Sequence, residues 1–205
     1  MNAGYASIVV MGMTLILLAS GWKPLLFGSI SGRGLVAFAT GWIALSFVQV
    51  PIGGWPVNGT LLLLAGISVW AAARQRKPMD GAQLLASGVM VGLFGFLVHS
   101  LAEGAPMLLP SPDGFLTCWL ALLIFCLYRK PLPQIGVLSL AVLTEALLHQ
   151  YANSGAAALG YGVWQDRWWV YLVVTRLTTI LLAAAARMVR DKAGRLAARR
   201  KKARD

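Results

Sequence analysis

Seven apolar runs, separated by short breaks, fill the chain from Ala3 to Met188. Most approach the ~20 residues that an α-helix needs to cross the ~30 Å hydrocarbon core of a bilayer. That pattern constrains the fold more than any motif, because only helices and closed barrels satisfy their own backbone polar groups inside lipid. The runs lie at about Ala3–Ser20, Leu35–Val50, Val57–Ala73, Ala82–Leu101, Pro112–Tyr128, Ile135–His149 and Trp168–Met188. Charged residues make up 12% of the chain, half of the ~25% usual in soluble domains. The mean hydropathy is +0.70. The expected fold is all-α, a polytopic membrane helix bundle with seven transmembrane helices.

The breaks carry turn and cap signals. Lys23, Pro24 and Arg33 fall in the first, and Pro51, Gly53, Gly54, Pro56 and Gly59 mark an uncharged tight turn. Ser111-Pro112-Asp113 supplies a helix start, with Ser as N-cap and Pro at the first helical position. The Gly-, Ala-, Tyr- and Trp-rich stretch from Gln150 to Arg167 reads as an interfacial loop, with Trp164, Trp168 and Trp169 forming an aromatic belt. The first run lacks the basic flank of a signal peptide and is taken as an uncleaved helix.

Basic residues give the orientation. Lys23 and Arg33, then Arg74, Arg76 and Lys77, then Arg129 and Lys130, then nine residues from Arg187 to Arg204 occupy alternate breaks. These are sixteen of the eighteen Lys and Arg; Arg167 lies on the other side and Arg176 inside the last run. Basic loops stay in the cytoplasm, so the N-terminus is expected outside and the C-terminus inside. The chain divides into a transmembrane domain, 1–188, and a basic cytoplasmic tail, 189–205. Arg195, Arg199, Arg200, Lys201 and Lys202 suit anionic lipid headgroups, at ~1 kcal/mol per residue near such a surface. Lipid, and a membrane-protein partner, are the expected contacts; nucleic acid is not. Cys118 and Cys126 are eight residues apart on a helix, ~12 Å, too far for a disulfide, and read as core-filling side chains.

Ionisable groups inside a membrane point to function by default. Glu145 and Arg176, placed at similar depth from the outer ends of the sixth and seventh runs, are expected to form a buried ion pair. The chain has two histidines, and each has a glutamate four residues away: His99 with Glu103, and Glu145 with His149. A four-residue spacing puts both side chains on one helix face. Two imidazoles and two carboxylates are a donor set for a divalent metal such as zinc, which can activate water for hydrolysis. No other cofactor is indicated. Nucleophile-elbow, HExxH and phosphate-loop motifs are absent.

Three functions compete on these grounds. The first is a non-enzymatic scaffold or partner-binding protein of the cell envelope. The second is a metal-dependent hydrolase at the outer membrane face, and the third a small transporter using Glu145 and Arg176. Gly88 and Gly92 in the fourth run form a GxxxG spacing that permits close helix approach.

The opening Leu17-Leu18-Ala19-Ser20-Gly21-Trp22-Lys23, the Gly41-Trp42 pair and the chain length are similar to those of the YphA-like family of small membrane proteins of spore-forming Gram-positive bacteria. The resemblance implies a bacterial plasma-membrane location and no particular activity.

Overall fold

The computed structural model describes residues 4–28, 30–105, 112–152, 160 and 162–202. Helix α1 (Tyr5–Leu17) runs into a π-helical turn (Leu18–Trp22) and a single-turn helix α2 (Lys23–Leu26). Gly21, at φ 92°, supplies the left-handed backbone that bends this segment. Then come α3 (Gly32–Ser46), strands β1 (Gln49–Ile52) and β2 (Trp55–Asn58), α4 (Gly59–Ala73), α5 (Pro78–Gly104), α6 (Pro112–Leu127), α7 (Pro131–Ala152) and α8 (Val163–Lys202). Four stretches, Tyr5–Leu26, Pro78–Gly104, Pro131–Ala152 and Val163–Ala193, are long and apolar enough to cross a membrane.

Local chemistry explains several boundaries. Ser31 Oγ accepts from Gly34 N–H and caps α3, and Asn58 Oδ1 accepts from Thr60 N–H and caps α4. The uncharged break between the second and third runs is a β-hairpin. Gly53 and Gly54, both at positive φ, form the two-residue turn that matches strand twist. Pro51 faces Pro56 in the ladder, which is tolerated because a two-stranded ribbon has only edges. The second run therefore leaves the helix at Ser46, four residues earlier than expected.

Helix α7 sits at the centre, packed by α4, α5, α6 and α8. Its closest neighbour is α5, and glycine sets the spacing. A Cβ added at Gly88 would stand 2.7 Å from Leu140 Cβ, and one at Gly92 only 2.5 Å from the Ala141 carbonyl oxygen. The GxxxG spacing thus marks a true contact, and it brings α5 against α7. Gly92→Ala is expected to destabilise the bundle by about 1–3 kcal/mol, because the backbone carbonyl cannot move aside. Gly66→Ala, where an added Cβ meets nothing within 4 Å, should not destabilise and should add up to about 1 kcal/mol through helix propensity. Thermal melts of both variants in mild detergent check this.

Other expectations are corrected. Helix α8 begins at Val163, five residues before Trp168. Trp168 and Trp169 then face inward and are buried against Trp42 and Phe38, with only Trp168 stacked on Trp42, so they form no interfacial belt. Trp168 Nε1 donates to Ser139 Oγ at 3.1 Å, which satisfies its one polar atom. Cys118 and Cys126 are exposed and free, because α6 buries the face bearing Leu116, Leu120 and Ile124 instead. The basic tail continues α8 without a break at Met188, helical to Lys202.

Candidate functional site

Four helices bring polar side chains to one end of the bundle. Helix α5 supplies His99 near its C-terminus, and α7 supplies Glu145 and His149 from successive turns of one face. Helix α6 contributes Asp113 from its first turn, and α8 contributes Arg167. His99 and Glu145 are both buried, Glu145 at 2% exposure. Gly95, one turn before His99, leaves the space the carboxylate fills: a Cβ there would lie 3.1 Å from Glu145 Oε2.

The ring of His99 stands between two carboxylates. Its Nε2 is 3.1 Å from Asp113 Oδ1, and its Nδ1 is 2.8 Å from Glu145 Oε1. The second contact is short but off the ring N–H direction, so Glu145 Oε1 accepts no aligned hydrogen bond. Arg167 reaches both acids, 3.2 Å from Asp113 and 3.6 Å from Glu145, and lies over the Trp164 ring at 5.0 Å. His149 packs edge-on against His99, with ring centroids 5.7 Å apart. Its Nε2 is buried without a partner, as is the Tyr171 hydroxyl one turn beyond Arg167 on α8.

Buried polar atoms are nearly always satisfied, so this group of orphans calls for an explanation. Ligand atoms of His99, Glu145 and His149 all lie within 4.8 Å of one another. Around a tetrahedral zinc with bonds of ~2.1 Å, ligand atoms sit ~3.4 Å apart, so adjustments of about 1 Å complete the set. Asp113 beside Nε2 is the outer partner that such a histidine commonly has. By accepting Nε2–H it would leave Nδ1 unprotonated; that atom now points at the Gly95 carbonyl oxygen, 3.3 Å away, so the ring would have to turn toward Glu145 and His149 to ligate a metal.

No family model, curated protein or solved structure matches this chain. The geometry alone therefore carries the functional reading.

Three of the four expected metal ligands come together, and the fourth does not. Glu103 is exposed at the end of α5, one turn beyond His99 and outside the cluster. The expected Glu145–Arg176 pair does not form either. Arg176 donates from Nε to Leu26 O, from Nη1 to Gln134 Oε1 and from Nη2 to Leu25 O. The early start of α8 is the reason: Arg176 lies nine residues, ~13 Å, further along the helix than Arg167. Arg167 takes the place next to Glu145. Asp113, Arg167 and Tyr171 were not singled out from sequence. A signal existed for Arg167, the one cation in a break on the side opposite the basic breaks.

Proposed function

We propose that this chain is a metal-dependent hydrolase of the membrane, with zinc or a similar divalent cation held by His99, Glu145 and His149. The observation that carries the reading is the convergence of these three donors, two of them buried, with Glu145 Oε1 and His149 Nε2 lacking partners. Three protein ligands leave one position for water, the arrangement of catalytic rather than structural zinc. The metal would supply a water activated near neutral pH. Arg167, on the rim of the cluster, would hold an anionic group of the substrate or the charge that develops on the attacked oxygen. Asp113 would keep His99 in the ligating tautomer.

Seven spans with the N-terminus outside, the arrangement the basic breaks favour, would put the site at the outer face. Helices α3, α4 and α6 span 15, 15 and 16 residues. That is ~22–24 Å of helix, which crosses a ~30 Å core with local thinning and flanking residues that reach the interface. The basic breaks then share the cytoplasmic face, as in a bacterial plasma-membrane protein.

A substrate mixture suffices for the test. Purified protein is assayed for metal, then incubated with total bacterial lipid extract in ¹⁸O-water. Near-stoichiometric metal and ¹⁸O-labelled products that both disappear in His149→Ala are expected. A metal-free wild type that gives no labelled product overturns the reading.

A non-enzymatic, partner-binding role is the second reading. It is favoured by α8, whose 40 residues make a helix of ~60 Å, twice the bilayer core, projecting a basic rod. The transporter reading loses its basis, since its Glu145–Arg176 pair is absent.

A further inference from the structure

At the opposite end of the bundle, a cavity of about 650 Å³ lies between α3, α4 and α7. Its walls are apolar, formed chiefly by Phe38, Leu63, Ile67 and Trp70, with buried Trp168 on the inner side. Ser31 and Arg74 also line it. Helices α3 and α4 run antiparallel about the hairpin, so the start of α3 and the end of α4 lie together. Ser31, the N-cap of α3, and Arg74, the C-cap of α4, therefore sit at the same mouth. The Lys23 ammonium is there too, 4.0 Å from where a Cβ on Gly32 would stand. Among the described residues no carboxylate pairs with Arg74 or Lys23.

We propose that this groove holds one acyl chain of an anionic phospholipid, with the lipid phosphate at the mouth between Arg74, Lys23 and the N-terminus of α3. The dimensions fit. From Leu63 to Arg74 the groove follows α4 for eleven residues, ~16 Å, against ~15 Å for one leaflet of the hydrocarbon core. The charge fits as well: Arg74 and Lys23, without acids among the described residues, lie beside the N-terminus of α3, and Arg74 also offsets the negative end of α4 that it caps. The mouth lies among the basic breaks, where anionic headgroups gather on the cytoplasmic side. A zwitterionic lipid would fill the walls equally but bring its own ammonium to the mouth, and so match these cations less well.

The experiment is native mass spectrometry of the full chain in detergent micelles, doped equally with dioleoyl phosphatidylglycerol and dioleoyl phosphatidylcholine. Each cation is worth roughly fivefold in favour of the anionic lipid, so one retained phosphatidylglycerol should dominate. Arg74→Gln should reduce the preference about fivefold. Ala37→Phe, at an exposed lining position, should fill the groove and remove the retained lipid. Equal retention of the two lipids by the wild type overturns the proposal without reference to any variant. Retention unchanged in a folded Ala37→Phe protein puts the lipid elsewhere and overturns it too. Neither outcome bears on the metal cluster at the other end.

Discussion

Glu145→Gln is expected to leave the protein folded and nearly free of metal. The amide matches the carboxylate in size and keeps the space that Gly95 provides, but it loses the anionic donor. Loss of an outer partner alone typically weakens a metal site 10–100-fold, so loss of a direct ligand should exceed about 100-fold. Asp113→Asn tests the outer partner itself. It should retain metal with about 10–100-fold weaker affinity, because the His99 ring is no longer held by a carboxylate. Glu103→Gln is the informative control. Glu103 has the same four-residue spacing from His99 that His149 has from Glu145, yet it is exposed and outside the cluster, so its metal content should equal that of the wild type. Metal per protein after gel filtration, and competition with a chelating dye, read all three. Equal metal in the wild type and Glu145→Gln would sink the assignment of these ligands.

The contrast between Glu103 and His149 shows what a linear pattern conveys. Spacing along one helix was legible, since it depends only on helical geometry. Which helices meet was not, except through Gly88 and Gly92, whose small size fits them for a close partner without naming it. The partner is α7, and that one packing fact brings His99 to Glu145 and His149 while Glu103 stays outside. The caps at Ser31 and Asn58 were not read from sequence, and the helices they start begin at Gly32 and Gly59 rather than at Leu35 and Val57; the cap that was expected, Ser111, lies outside the described residues. Helix ends were obscured where β-signals and prolines mix, as in the hairpin around Gly53-Gly54. The start of α8 was hidden by the aromatic composition around Trp164, and a five-residue error there exchanged Arg167 for Arg176 as the partner of Glu145.

Arg176 acquires a different role, and its removal should have the largest effect on stability. The residue is 4% exposed, and its guanidinium meets no carboxylate among the described residues. It donates instead to Leu25 O and Leu26 O, carbonyls at the end of α2 that no further helical turn satisfies, where a cation also opposes the negative helix end. Its third contact is Gln134 Oε1, and Gln134 Nε2 in turn donates to Tyr128 O and Thr179 Oγ1. The first helical segment, the break before α7, and α8 are thus tied through one side chain. Arg176→Met keeps the length and apolar bulk but strands three acceptors. At about 1–3 kcal/mol for each buried unsatisfied group, with partial relief from rearrangement, the loss should reach roughly 3–5 kcal/mol. Arg176→Lys should fall between, since an ammonium lacks the planar fork that spans three acceptors at once. Denaturant titration in detergent, with limited proteolysis near Lys23, checks both the size and the place of the effect. A metal content unchanged in folded Arg176→Lys would show that this lock and the His99 cluster are independent. An Arg176→Met protein as stable as the wild type would mean that the three acceptors find other donors, and the lock would have to be abandoned.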